Sequence, residues 1–142
     1  MHVCTEADTH EQNLTLIDKK RLRDALLMAQ SNPIQGLPKM AALIYIGKAY
    51  SPIIGLNSWR THPLQKRFGR HSDAIHLHAE IDAIAAALRI GVDFQDVELY
   101  VARAFKDGSA GLAKPCEGCQ GAIIRFGIPI ENVCWTEKDV IY

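Results

Sequence analysis

Apolar and polar positions along the chain follow two periods, and the period changes mark the elements. A polar, aperiodic stretch, 1–13, is read as a flexible N-terminal arm. Leu22, Ala25, Leu26 and Ala29 then recur at helical spacing. Thr15 with Asp18 three positions on gives that helix a capping-box start, and Ser31-Asn32-Pro33 stops it. Residues 40–50 and 52–59 are apolar and rich in Ile and aromatic residues, with Gly47-Lys48 and a Ser51-Pro52 break between them, which predicts a β-hairpin. Ile81, Ile84, Ala85 and Leu88 fall at i, i+3, i+4 and i+7, and Gly91 is placed to end that helix. In 96–102, Val97, Leu99 and Val101 alternate with Glu98 and Tyr100, the period of a strand. Residues 103–114 read as a polar, Gly-containing loop, 121–126 as a short helix ended by Gly127 and Pro129, and 132–136 as a last strand. The order α-β-β-α-β-α-β predicts an α/β fold, a mixed sheet covered by helices.

Composition narrows the class. With 142 residues, 48% hydrophobic and 23% charged, the chain after the arm, 14–142, has the size and balance of a single soluble globular domain. No apolar run is long enough for a membrane span and the start lacks a signal-peptide pattern, so a cytoplasmic location is expected. The net charge of zero hides an asymmetry. No acidic residue lies between Asp24 and Asp73, whereas Lys39, Lys48, Arg60, Lys66, Arg67 and Arg70 all do; from Asp73 onward eleven acidic residues face six basic ones. The basic interval is suited to an anionic partner. Its segment 58–71 carries Trp59, Arg60, Lys66, Arg67, Phe68 and Arg70. It reads as a clamp for a nucleotide phosphate, as a polynucleotide track, or as an ordinary solvated loop, with Trp59 expected in the core.

Four cysteines in a chain without secretory features point to thiol chemistry rather than disulfides. Cys4 and Cys134 are expected to do none: Cys4 lies in the arm, and Cys134 is a small core residue of the last strand. Pro115-Cys116-Glu117-Gly118-Cys119 puts two thiols on one face at a helix start, where the positive end of the dipole favours thiolates. A redox dithiol would share this spacing. His78, at the start of another helix, makes a Cys₂His set that leaves a fourth tetrahedral position open, the arrangement of a catalytic zinc. Glu80 would then carry protons rather than ligate. His76 competes with His78 as a ligand, or serves as a polar neighbour behind it.

His78-Ala79-Glu80 together with Pro115-Cys116-Glu117-Gly118-Cys119 resembles the zinc-dependent cytidine/deoxycytidylate deaminase superfamily, whose signature is H-x-E followed by P-C-x-x-C. The resemblance covers about residues 40–136, including the order of elements. It implies a three-layer α/β/α deaminase-like fold with a mixed sheet of four or five strands; in the tail of this sequence, residues 140–142 are the candidate for a short terminal fifth strand. It implies Zn²⁺ held by His78, Cys116 and Cys119. A zinc-bound hydroxide would attack the amino-bearing carbon of a cytosine-type base, with Glu80 as proton shuttle. Ala79 would face the base through its backbone, and Asn57 would bond the sugar. Free nucleoside or nucleotide is the implied substrate, with a deoxycytidylate-like monophosphate favoured by the basic segment, and homo-oligomeric assembly is implied too. Two readings stand as alternatives: deamination of cytosine or adenine within RNA or single-stranded DNA, and a non-catalytic zinc-containing nucleic-acid-binding module. The connection 103–114 is longer than the family's usual one, which makes Arg103, Phe105 and Lys106 candidates for substrate selection beside Arg60, Lys66 and Arg67. The short tail after Thr136 argues against the polynucleotide-editing branches.

Overall fold

Apolar side chains at both parities of Val97–Ala104 mean that this strand must be covered on both faces, and the rest of the chain supplies the cover. The computed structural model describes residues 12–48, 51–69 and 76–142. Their order is α1 (Leu16–Gln30), β1 (Lys39–Ile46), β2 (Ile53–Leu56), α2 (Pro63–Phe68), α3 (Ala79–Arg89), β3 (Val97–Ala104), β4 (Ala110–Gly111), α4 (Glu117–Phe126) and β5 (Val133–Trp135). The sheet runs β2-β1-β3, with β2 and β3 antiparallel to β1. The far edge of β3 is shared. β5 pairs with it in parallel along Leu99–Val101, and β4 pairs antiparallel at Arg103 and Ala104. Fully buried Thr136 joins the two: its N–H donates to Val101 O, and its Oγ1 accepts from Arg103 N and donates to Gly111 O.

The sheet is thus mixed and five-stranded in an α/β fold, but its fifth strand is not the terminal one expected at 140–142, which forms none. The fifth strand comes instead from the segment read as a loop. Residues 103–111 close a small hairpin, where Phe105 N donates to Ser109 O and Gly108 N to Phe105 O. Asp107 and Gly108 supply the turn chemistry. A second difference is α2, inside the segment 58–71, where the sequence reading places no helix: His62 Nδ1 accepts from Leu64 N at the N-cap, and Pro63 opens the helix.

One face of the sheet carries α1. Leu22, Ala25 and Ala29 pack there with Tyr45, Tyr100 and Ala102. The predicted capping box is present: Thr15 Oγ1 accepts from Asp18 N at 3.1 Å, and Asp18 accepts from Thr15 N at 2.9 Å. Arg21 pairs with Glu98 at 3.1 Å and lies over the Tyr45 ring. Gln12, assigned to the arm, is tied by both ends of its amide to the Trp135 backbone at 2.8 and 2.9 Å; residues 1–11, with Cys4, lie outside the described residues. Cys134 is buried on this face, as expected.

The opposite face carries α3 and α4 over Val97, Leu99 and Val101, completing three layers. Gly91 and Gly127, at φ +76° and +86°, end these helices in the left-handed conformation that the sequence predicts for them. β2 holds the first turn of α3 very closely. A Cβ on Gly55 would lie 2.3 Å from Ala79 O and 2.4 Å from Ala83 N, so only glycine permits this approach. Leu56 N donates to Asp82 Oδ2, and Ser58 and Leu77 exchange backbone bonds at 3.0 and 2.9 Å. Gly55→Ala is therefore expected to destabilise the fold by roughly 1–3 kcal/mol. A fall in the thermal unfolding midpoint checks this, and an unchanged midpoint would contradict it.

Candidate functional site

Two helices start at the same place. His78 occupies the N-cap of α3 and Cys116 the N-cap of α4, and neither side chain caps its own helix. Ser, Thr, Asp or Asn at such a position typically stabilises a helix by about 1 kcal/mol relative to a non-capping residue. Here that stabilisation is forgone, and both side chains turn towards each other. His78 Nδ1 lies 3.5 Å from Cys116 Sγ and 3.4 Å from Cys119 Sγ, one turn further into α4. All three donor atoms fall within 4.8 Å of one another.

These distances test the donor set directly. A tetrahedral zinc with Zn–S of about 2.3 Å and Zn–N of about 2.0–2.1 Å has N···S edges of about 3.5 Å. The observed edges agree, and one imidazole with two sulfurs is a donor set that zinc accepts. The redox alternative explains the pair of thiols but gives His78 Nδ1 no reason to face both.

Electrostatics fit the same use. Cys119 is buried and its thiol bonds Cys116, which, with a further bond from His78, holds the Cys116 thiol down to about 4 against its own desolvation; Cys119 is pushed up in return, by that hydrogen bond and by burial. The N-terminal ends of α3 and α4 both favour negative charge here. Glu80 follows in the first turn of α3 and is 4% exposed. Burial, with the nearby Cys116, pushes its carboxyl up to about 7, opposed by its own backbone N–H, by His78 and by a bond from Cys119. A carboxyl poised near neutrality beside three metal-type donors can both take and give a proton.

The two histidines are not equivalent. The His76 ring stacks on His78 with centroids 4.7 Å apart and meets Trp59 edge-on at 6.0 Å, so it lies behind the donor histidine. Trp59 is not a core residue: it is 55% exposed, with its indole N–H donating to Gln35 O.

The remaining sequence candidates are distributed around this centre. Ala79 is buried in the first turn of α3 between His78 and Glu80. Asn57, at the end of β2, is buried and heavily used. Its Oδ1 accepts from Asn32 Nδ2 at 2.7 Å and Met40 N at 3.0 Å, and its Nδ2 donates to Pro38 O, which leaves one Nδ2 hydrogen for any other partner. Arg103 lies on the parity of β3 that faces α3 and α4, beside Phe105, and its buried Nε has no hydrogen-bond partner among the described residues. Lys106 stands apart from it on the exposed turn whose Gly108 carbonyl is bonded by Gln30 of α1. Arg60, Lys66 and Arg67 are exposed, the last two on the final turn of α2; Arg70 lies outside the described residues.

Sequence reasoning missed two buried glutamines. Gln65 on α2 accepts from His78 N, and Gln120 on α4 donates to Pro115 O at 2.7 Å. His62-Pro63 is the signal from which α2 was legible; no local pattern marks Gln65 itself.

Comparison with known proteins agrees with the geometry. A search of curated proteins yields no match. Among solved structures, the dCMP deaminase of cyanophage S-TIM5 in apo form superposes with a TM-score of 0.55 at 18% identity, over 87% of this chain and 100% of that one. Its complex with dCMP and dUMP gives 0.55 at 17% identity, over 88% and 99%. At this identity the likeness is one of fold. The model of the cytidine and deoxycytidylate deaminase zinc-binding region matches residues 17–136, which span both helix starts and the whole sheet. That match takes in His78, Cys116 and Cys119, whose donor atoms converge, and this chain therefore belongs to the cytidine and deoxycytidylate deaminase family.

Proposed function

We propose that the protein is a zinc-dependent hydrolytic deaminase of a free cytosine nucleoside or nucleotide, with a deoxycytidylate-like monophosphate as the preferred substrate. The observation that carries this reading is the approach of His78 Nδ1 to both Cys116 and Cys119 at 3.5 and 3.4 Å, distances a shared zinc would give, with buried Glu80 beside them. His78, Cys116 and Cys119 hold the zinc. Bound zinc supplies a Lewis acid that brings the pKa of water to about 7 and so makes a nucleophile available at neutral pH.

The chain's own groups do the rest. Glu80, held near 7, takes a proton from the attacking water and delivers it to the ring nitrogen of the base, then takes the second proton from the added oxygen and delivers it to the leaving amine. Overall a C–O bond to water's oxygen replaces the bond to the exocyclic nitrogen, and ammonia leaves. The Ala79 backbone faces the base, and the last Nδ2 hydrogen of Asn57 is offered to the sugar. Arg103 presents a guanidinium whose five donors suit a carbonyl or phosphate oxygen, with Phe105 beside it. Arg60, Lys66 and Arg67 are exposed and basic near the helix that touches both α3 and α4, which supports a phosphate on the substrate. The dCMP bound by the similarly folded cyanophage enzyme is consistent with this preference.

Ammonia release from dCMP, CMP, deoxycytidine, cytidine and short single-stranded oligonucleotides tests the substrate. Turnover of dCMP above the nucleosides is expected. Turnover of the oligonucleotides alone would favour the polynucleotide reading, and no release from any of them would contradict a cytosine deaminase.

Glu80→Gln separates metal binding from chemistry. It is expected to keep zinc at one equivalent per chain while losing about 10²–10⁴-fold in kcat; full activity would contradict the proton role. The same variant reports the titration in metal-free protein. The folded carboxyl holds its proton above the ordinary value of 4.5, up to about 7, so wild-type stability carries a contribution that falls as pH rises through that window. Glu80→Gln lacks it. Its stability relative to wild type should therefore rise between about pH 4.5 and pH 7, and a pH-independent difference in denaturant unfolding would contradict the shift.

A further inference from the structure

In α1 the N-cap backbone N–H is satisfied from within the helix, because the third helical residue, Asp18, reaches back to Thr15 N. Helix α3 has no such residue. Its third helical position is Ile81, which has no acceptor, so the N–H of the N-cap residue His78 must be met from elsewhere. It is met by Gln65 Oε1 at 2.9 Å, from a different helix. Gln65 is 3% exposed, a polar side chain taken into the interior of a six-residue helix that is far too short to hold itself together.

The same short helix also meets the other half of the donor set. A Cβ on Gly118, which lies between Cys116 and Cys119, would sit 2.3 Å from the carbonyl oxygen of Phe68, the last residue of α2. Helix α2 is thus seated on the backbone at both places from which the donor side chains project. The bond at His78 N fixes the backbone of the residue that offers Nδ1, and the contact at Gly118 fixes the turn that offers the two sulfurs.

We propose that Gln65 is a positioning residue for the metal centre, acting as a capping-box acceptor supplied in trans to the His78 N-cap, with α2 as the clamp that sets the imidazole against the two cysteines. This rests on the reading of His78, Cys116 and Cys119 as zinc ligands. Groups behind metal ligands typically change metal affinity by about 10- to 100-fold when removed.

The test is zinc affinity, measured by chelator competition on the full chain, with cobalt substitution as a spectroscopic report of the donor geometry. Gln65→Met keeps length and volume but has no acceptor of comparable strength; Gln65→Glu keeps the acceptor. Gln65→Met is expected to bind zinc about 10- to 100-fold more weakly and to shift the visible cobalt bands, and Gln65→Glu to restore most of the affinity. Wild-type affinity and an unshifted cobalt spectrum in Gln65→Met would overturn the proposal, as would equal losses in both variants. If Gln65→Met does not fold by circular dichroism, Gln65→Asn, whose amide is one carbon short of His78 N, is titrated in its place and judged by the same outcomes. Wild-type protein that takes up no zinc would instead overturn the ligand assignment itself, a result distinct from failure of the Gln65 role.

Discussion

Two helix N-termini must converge on one point with their N-cap positions given over to metal donors, and most of the structure follows from that constraint. An N-cap side chain ordinarily closes its own helix; His78 and Cys116 do not. The helices are therefore held at their starts by tertiary contacts. For α3 these are the Asp82 bond to Leu56 N, the backbone exchange between Ser58 and Leu77, and Gln65. For α4 they are the bond from Gln120 to Pro115 O and the seat of Phe68 on Gly118. What is lost in local capping is returned as electrostatics, since the positive ends of both helices favour thiolate at the sulfurs.

The sheet sets where the convergence happens. β3 is buried on both faces, so α1 on one side and α3 with α4 on the other are fixed relative to a single strand. Gly55 lets α3 come within backbone contact of β2, and Thr136 fixes where β5 gives way to β4 on the edge of β3, just upstream of Pro115. Positions of the donors are thus inherited from strand register and from two places where only glycine leaves room.

Much of this was legible in the sequence because the signals are local. Helical spacing, the Thr15–Asp18 box, Gly91 and Gly127 each depend on neighbours within a few residues, and the elements they predict are present. The donor set was legible because His78, Glu80 and the two cysteines belong to two short motifs, although only the fold brings the motifs together. What was misread depends on distant partners. The 103–111 hairpin forms because β3 offers an open edge beyond β5, which no pattern within the segment encodes. Trp59 looks like core by composition, yet its ring lies at the surface beside His76. Gln65 is polar on a short helix and gains meaning only from the N–H it meets thirteen residues away.

The central claim is that one imidazole and two sulfurs hold zinc with a further position left for a light ligand. Zinc K-edge X-ray absorption on the zinc-loaded protein tests it most directly. The account predicts two sulfur neighbours at about 2.3 Å and two nitrogen or oxygen neighbours at about 2.0–2.1 Å. A shell of four sulfurs, or one without sulfur, would contradict it.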